Sequence, residues 1–321
     1  MTISDISVVI PAFNSEKFIA AALSSVAAQG LCPREVIVVD DGSSDSTFEV
    51  ASDWVRQGSR SYPVHIYRQT NQGLPATRNF AIRHAVGKWI ALLDSDDIWE
   101  AFHLEELAEA ARQAPDAVAA YGAGRLLVDG VVSDSLYDDF WDNPSRQYGI
   151  RIPESHYWTI GRSVIPRMMR GNFIKPSSLM MLRSAMFQVG LFNESFRVAE
   201  DRELLLRLIR KGDFVYSEKS ITRYRWHDNN ISHIKNSVRN LEFGLKVLQF
   251  VRRNIDNDLT HTEMAACDAE IDKATRAYMH LRSRNGLRAY KDGVGFLADL
   301  FGIRSLASVF RFRHLARALV A

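Results

Sequence analysis

From residue 6 to about residue 120, short apolar runs alternate with longer segments whose apolar positions recur at helical spacing. That alternation marks βα units wound around a largely parallel sheet. The predicted strands are Ile6 to Ile10, Glu35 to Asp40, Val64 to Arg68 and Trp89 to Leu93. Helices are predicted over Ser15 to Gln29, Asp45 to Gln57 and Pro75 to Ala85, with a further one after Ile98. From about 121 to 180 the pattern is irregular, with Tyr137, Phe140, Trp141, Tyr148, Tyr157 and Trp158 scattered among charges and prolines. Such rings either pack a long crossover or line a binding surface. Regularity returns in a helix from about Glu200 to Lys211 and in strand-like segments Phe214 to Ser217 and Ile221 to Arg225; after Ser232 the chain reads as mainly helical. The expected fold class is therefore α/β, a Rossmann-like, mostly parallel sheet flanked by helices, with a mainly helical C-terminal extension. Residues 1–233 form the α/β domain, divided near residue 120 into halves 1–120 and 121–233, and 234–321 form the helical region. No internal repeat is apparent.

The 321 residues suffice to bury a substantial core without covalent staples. A formal charge of +2, from 40 basic and 38 acidic side chains, provides no global field that would select nucleic acid as a partner. Cys32 and Cys267 form neither a disulfide framework nor a CxxC metal motif, which fits a reducing, cytoplasmic compartment. Met1 to Asp5 lacks the features of a secretory signal, and runs such as Trp89 to Leu93 are too short to span a bilayer.

In a parallel α/β sheet, ligands bind at the carboxyl ends of the strands. Pro11-Ala12-Phe13-Asn14 follows the first predicted strand, Asp41-Gly42-Ser43-Ser44-Asp45 the second, and Asp94-Ser95-Asp96-Asp97 the fourth. Singly, these are turn chemistry, and Ser44, Asp45 or an aspartate of the last loop would serve as a helix cap. Capping does not account for so many carboxylates on one rim. Grouped carboxylates repel one another, and a divalent cation relieves that repulsion.

The sequence resembles glycosyltransferase family 2, whose members share the GT-A fold. The stretches that carry the resemblance are Ser7 to Asn14, Val38 to Asp45, Asn71 to Asn79, Leu93 to Asp97 and Ala199-Glu200-Asp201, in that order, and it extends over about residues 6 to 232. It implies an inverting transfer from a nucleotide-sugar donor, with residues 1–120 binding the donor and 121–233 a saccharide or lipid-linked acceptor. Pro11, Ala12 and Phe13 then line the base pocket and Asp41 accepts a hydrogen bond from the base. Asp40 orders that loop or reaches the ribose, and Arg78 contacts the diphosphate. Asp94-Ser95-Asp96 matches the DxD motif: Asp94 and Ser95 lie on the donor side, and Asp96 binds Mn²⁺ or Mg²⁺ already held by the donor phosphates. His227 matches a histidine that approaches the diphosphate or the metal, although a lone histidine also serves structure. Asp201 corresponds to the general base, with Glu200 orienting it or holding an acceptor hydroxyl. A carboxylate at the start of a helix is also favoured by the macrodipole alone. Thr77 stands where the family more often has alanine.

The resemblance favours uridine diphosphate as carrier, with dTDP and GDP also open, and a role in surface polysaccharide or glycolipid assembly. Gly122-Ala123-Gly124 begins like a dinucleotide fingerprint, but Leu127 occupies the third glycine position, and no P-loop motif occurs. A sugar nucleotidyltransferase uses a similar core but normally places a glycine-rich basic loop where Pro11 to Asn14 stand. A catalytically inactive nucleotide-sugar-binding protein is the other alternative, disfavoured because Asp41, Asp96 and Asp201 are all present. Residues Gly302 to Ala321 alternate arginines with apolar positions, a pattern suited to peripheral membrane contact or to packing on this chain or on a second copy in a homo-oligomer.

Overall fold

The structure is a computed structural model that describes residues 4–58, 60–227, 230, 237–254 and 258–302. The arginine-rich segment beyond Gly302 lies outside the described residues. The chain divides into two compact units, one of residues 1–164 and 172–228, the other of 165–171 and 229–321.

The first unit opens with strands β1 (Ile6–Ala12), β2 (Glu35–Asp40), β3 (Val64–Arg68) and β4 (Trp89–Leu92), separated by helices α1 (Ile19–Ala27), α2 (Thr47–Gln57) and α3 (Leu74–His84). β1 and β2 are buried along their whole length, as strands covered on both faces must be. These elements match the apolar runs; α1 and α2 start later than predicted because polar turns precede them, and α3 starts one residue earlier. Ser15 to Phe18 turn before α1, and Asp45 accepts the Thr47 backbone N–H at 3.1 Å before α2.

A two-residue strand, β5 (Ile98–Trp99), precedes α4 (His103–Gln113); none of the aspartates of the preceding loop caps that helix. The irregular region contains β6 (Ala119–Val128), β7 (Val131–Leu136), α5 (Pro144–Tyr148), β8 (Ile150–Arg151), β9 (Tyr157–Ile160) and, in the other unit, α6 (Ile165–Met168). β10 (Leu179–Leu182), α7 (Arg183–Gln188), α8 (Glu200–Leu208) and β11 (Phe214–Trp226) complete the sheet unit. The two predicted strands at 214 and 221 are one strand, β11, whose register against β6 shifts between Ser217, Ser220 and Thr222.

The sheet order is β3-β2-β1-β4-β10-β6-β11-β9-β8. The first four strands are parallel, and β10 runs antiparallel between β4 and β6. Because β2 lies on one side of β1 and β4 on the other, the chain reverses direction across the sheet at β1. The carboxyl ends of β1, β2 and β4 therefore flank a topological switch point, where an α/β sheet opens a crevice.

The second unit is helical. Besides α6 it contains α9 (Ser237–Asn254), α10 (His261–Ser283) and α11 (Gly286–Phe301), which bury Leu245, Tyr278, Met279, Tyr290 and Leu297 together. Thr260 caps α10 reciprocally with Glu263.

Candidate active site

At the end of β1, Pro11 and Ala12 are buried, whereas the Phe13 ring is 50% exposed. An apolar ring presented to solvent at a switch point offers a flat face for a planar ligand. The next loop is fixed from β2. Asp40 is 1% exposed, accepts the Ser43 hydroxyl and lies 3.1 Å from the Arg68 guanidinium. Asp41 holds the segment before α3: its Oδ1 accepts from Gln69 Nε2 and the Gln72 backbone N–H, both at 2.8 Å, and its Oδ2 accepts from the Gly73 N–H at 2.9 Å. Thr77 joins this network, donating to the Gly73 carbonyl and accepting from Gln69, so its hydroxyl is satisfied. Gly42 has φ +72°, and a Cβ there would lie 2.9 Å from the Asn71 nitrogen, so only glycine permits this approach.

The loop after β4 rests on Ser177. The Ser177 hydroxyl accepts the Asp94 backbone N–H at 3.0 Å and donates to Asp97, while its carbonyl accepts from Trp99 Nε1 and from the Thr222 hydroxyl. Asp97 is 1% exposed and also accepts the Arg225 N–H; burial, with Asp96 and Asp94 nearby, pushes its carboxyl well above the usual range. It supports the loop from beneath. The Ser95 hydroxyl is buried against Ser15 at 2.7 Å. The Asp96 carboxylate remains about one-quarter exposed, with its Oδ2 3.0 Å from His227 Nε2. The His227 ring stacks on Phe18, and the Arg225 side chain donates to the Asp96 carbonyl. The end of β11 thus clasps the aspartate loop.

Arg78 joins this loop to α8. Its side chain is 1% exposed, with Nη2 donating to Asp94 Oδ1 and Nη1 to Glu200 Oε1, both at 2.6 Å. Burial opposes the guanidinium charge, but Asp94 and Glu200 outweigh it and raise its pKa. Both Nη groups of this residue are engaged by carboxylates rather than turned toward a diphosphate. Glu200 is raised to about 7, chiefly by burial and then by Asp201. Asp94 is also raised by burial, with Arg78 opposing.

Glu200 and Asp201 begin α8 behind Ala199, whose left-handed φ of 62° is a strained setting for an alanine. Asp201 is held at both oxygens: Oδ2 accepts from Asn172 Nδ2 at 2.7 Å and Oδ1 from the Arg202 N–H at 2.6 Å. A further cation stands in the segment that Asn172 opens. The Lys175 ammonium sits 4.2 Å from the Tyr137 ring centre and 4.0 Å from that of Tyr224.

A family model described as glycosyl transferase family 2 matches residues 7–166. The chain belongs to glycosyltransferase family 2. TuaG of Bacillus subtilis, a glycosyltransferase named for teichuronic acid biosynthesis, is 27% identical over 231 residues, covering 72% of this chain and 82% of TuaG. WfgD of Escherichia coli, a UDP-Glc:alpha-D-GlcNAc-diphosphoundecaprenol beta-1,3-glucosyltransferase, is 40% identical over 101 residues, 31% of this chain and 38% of WfgD. The chain spans less than half the length of several other curated relatives. Staphylococcus aureus TarS in complex with UDP-GlcNAc superposes with a TM-score of 0.65 at 19% identity, covering 94% of this chain and 82% of that one. The GT-A fold expected from the motifs is the fold found.

Asn172, Lys175 and Ser177 were not singled out in the sequence. They fall in the aperiodic stretch before β10, where no motif marks them; the only signal is that polar residues crowd the entrance to an apolar strand.

Proposed function

We propose that this family 2 enzyme transfers a sugar, with inversion, from a nucleoside diphosphate donor to a hydroxyl of a saccharide or lipid-linked acceptor. The observation that carries the reading is the Arg78 bracket, which brings Asp94 of the DxD loop and Glu200 beside Asp201 onto one guanidinium. Donor chemistry and proton acceptance are thereby built into one site. The exposed Phe13 ring receives the base, and the loop that Asp41 shapes closes over the nucleoside. With Asn172 and the Arg202 N–H fixing its plane, Asp201 has lone pairs left to take the acceptor's proton. As that proton leaves, the acceptor oxygen bonds to the anomeric carbon and the bond from that carbon to the phosphate oxygen breaks. Attack from the opposite face inverts the centre without a covalent sugar intermediate.

Asp96 and His227 fit a divalent cation. Asp96 Oδ2 and His227 Nε2 lie 3.0 Å apart, and both side chains reach the surface. Among the described residues no set of three or more His, Cys, Asp or Glu forms a complete metal cage, so donor phosphate oxygens would fill the coordination. Mn²⁺ or Mg²⁺ bound there supplies Lewis-acid neutralisation of the departing nucleoside diphosphate. A mannosyltransferase of Pyrobaculum calidifontis solved with GDP-Man and Mn²⁺ shares the fold, at a TM-score of 0.60 and 16% identity.

The names of TuaG and WfgD favour surface polysaccharide assembly, and WfgD and the TarS complex favour a uridine diphosphate carrier. No described helix is long and apolar enough to cross a membrane. Work at the cytoplasmic membrane face, where a lipid-linked acceptor is presented, completes the proposal. Nucleoside diphosphate release from UDP-, dTDP- and GDP-sugars, with Mn²⁺ or Mg²⁺ and with chelator, tests it. Folded protein that neither binds nor turns over any donor would overturn it, and turnover undiminished by chelator would remove the metal.

A further inference from the structure

The segment from Asn172 to Ser178 supports both halves of the site, because Asn172 holds Asp201 and Ser177 holds the aspartate loop. Between them stands Lys175. Its Nζ lies in a wedge of two tyrosine rings whose centres are 6.1 Å apart and tilted by 49°. Tyr137 begins the short turn after β7, and Tyr224 lies on β11. Ring faces attract an ammonium but leave most of its hydrogen-bonding capacity unused. Among the described residues no carboxylate forms an ion pair with Lys175. Lys175 is half-buried, and a partly desolvated charge is normally paired. The charge nonetheless persists: burial opposes it, but Tyr224, Tyr137 and Asp201 hold the pKa above its ordinary value.

Three residues before Lys175, Asn172 holds the carboxylate at which an acceptor hydroxyl must arrive, and the other oxygen of that carboxylate is taken by the Arg202 N–H. Lys175 is therefore a cation carried by the segment that holds the base, clamped by two rings and without an ion-pair partner among the described residues. We propose that Lys175 binds an anionic group on the acceptor, a phosphate or a carboxylate close to the hydroxyl that is glycosylated. The inference rests on reading Asp201 as the base. The tyrosine wedge fixes the ammonium's direction without neutralising it, so a charged acceptor gains a directed contact that a neutral one lacks.

The test uses the full chain with a donor it hydrolyses, and compares sugar 1-phosphates, the matching uronates and the matching methyl glycosides as acceptors. Wild-type KM should be at least about tenfold lower for a charged acceptor than for its neutral match, the scale of one charge-assisted hydrogen bond. K175M should raise KM for the charged acceptor roughly 10- to 100-fold while leaving the neutral acceptor and acceptor-free donor hydrolysis within about twofold, and K175R should recover most of the loss. Whether the phosphate or the carboxylate arm responds identifies the anion. Equal wild-type KM values for charged and neutral acceptors overturn the inference without recourse to any variant. So does a K175M that folds and treats both alike. Donor hydrolysis reports separately on the transferase reading: a wild type that hydrolyses none removes that reading and this one with it, whereas hydrolysis without acceptor discrimination removes only this one.

Discussion

The donor rim and the acceptor side hold their carboxylates in different ways. On the rim, neighbouring loops tie one another: Asn14 to Ser43 and Ser44, Asp41 to the segment from Gln69 to Gly73, Asp45 to Thr47. Between the rim and the acceptor side the ties are long: Ser177 to Asp97 spans 80 positions, Ser177 to Asp94 spans 83, and Arg78 to Glu200 spans 122. The rim is specified by short motifs, whereas the acceptor side exists only once the sheet has closed. Damage to the rim should therefore stay local, and damage to the long ties should reach both chemistry and stability.

The largest expected effect is at the base. Asp201→Asn keeps the Asn172 and Arg202 contacts within reach but removes the proton acceptor, so kcat should fall by about 10²- to 10⁴-fold with donor affinity unchanged. Nucleoside diphosphate release and donor titration check this, and a variant of equal kcat removes Asp201 from the role. Arg78→Met comes next. It strands two carboxylates around a buried site, and breaking such a bracket costs about 3–5 kcal/mol by chemical denaturation. Wild-type stability with donor affinity alone reduced would instead make Arg78 a diphosphate contact.

The same contrast explains what was legible in the sequence. β1 to β4 and their loops could be read because apolar runs end in polar turns whose residues act on near neighbours. β6 could not. Its Ala119 to Gly124 lacks the bulky pattern of a strand and resembles a glycine loop, yet the glycines are there because β11 packs close: a Cβ on Gly122 would meet Ile221 Cδ1 at 2.6 Å. Ser177, Asn172 and Lys175 were illegible for a related reason, since their partners lie on elements that periodicity in one segment cannot bring together. Arg78 was found by its motif, but its geometry was not, because the motif does not reveal that both Nη groups are engaged by carboxylates of the fold.

A third effect sharpens the comparison through pH. Asp41 on the rim accepts three hydrogen bonds, whereas the 4% exposed Asp138 on the acceptor side accepts the Gly124 N–H at a long 3.4 Å. Burial pushes the Asp138 carboxyl up to about 7. Because the folded state holds this proton more tightly than the unfolded state, the stability it contributes is full below about pH 4 and is lost as pH rises through about 7. Asp138→Asn keeps an acceptor and removes the titration. Its stability relative to wild type should climb between those limits by at most about 4 kcal/mol. Glu200, Asp94 and Asp97 are raised as well, so the difference between the two proteins, not either curve alone, is the measurement. A difference that does not vary with pH would mean Asp138 is ionised throughout.

The smallest effect should come from the rim. Gly42→Ala forces a left-handed alanine, at about 1–2 kcal/mol, and sets its methyl against the Asn71 nitrogen and the Gln69 carbonyl. The segment it displaces is the one Asp41 holds, so donor KM should rise severalfold while kcat with saturating donor stays level, because Asp201 and its ties lie elsewhere. If kcat falls with KM, the rim and the acceptor side are mechanically coupled through Arg78, whose helix begins where the Asp41 loop ends. If stability falls and KM does not, the loop is only a turn that the fold requires, and nucleoside recognition must rest on Phe13 and the end of β1.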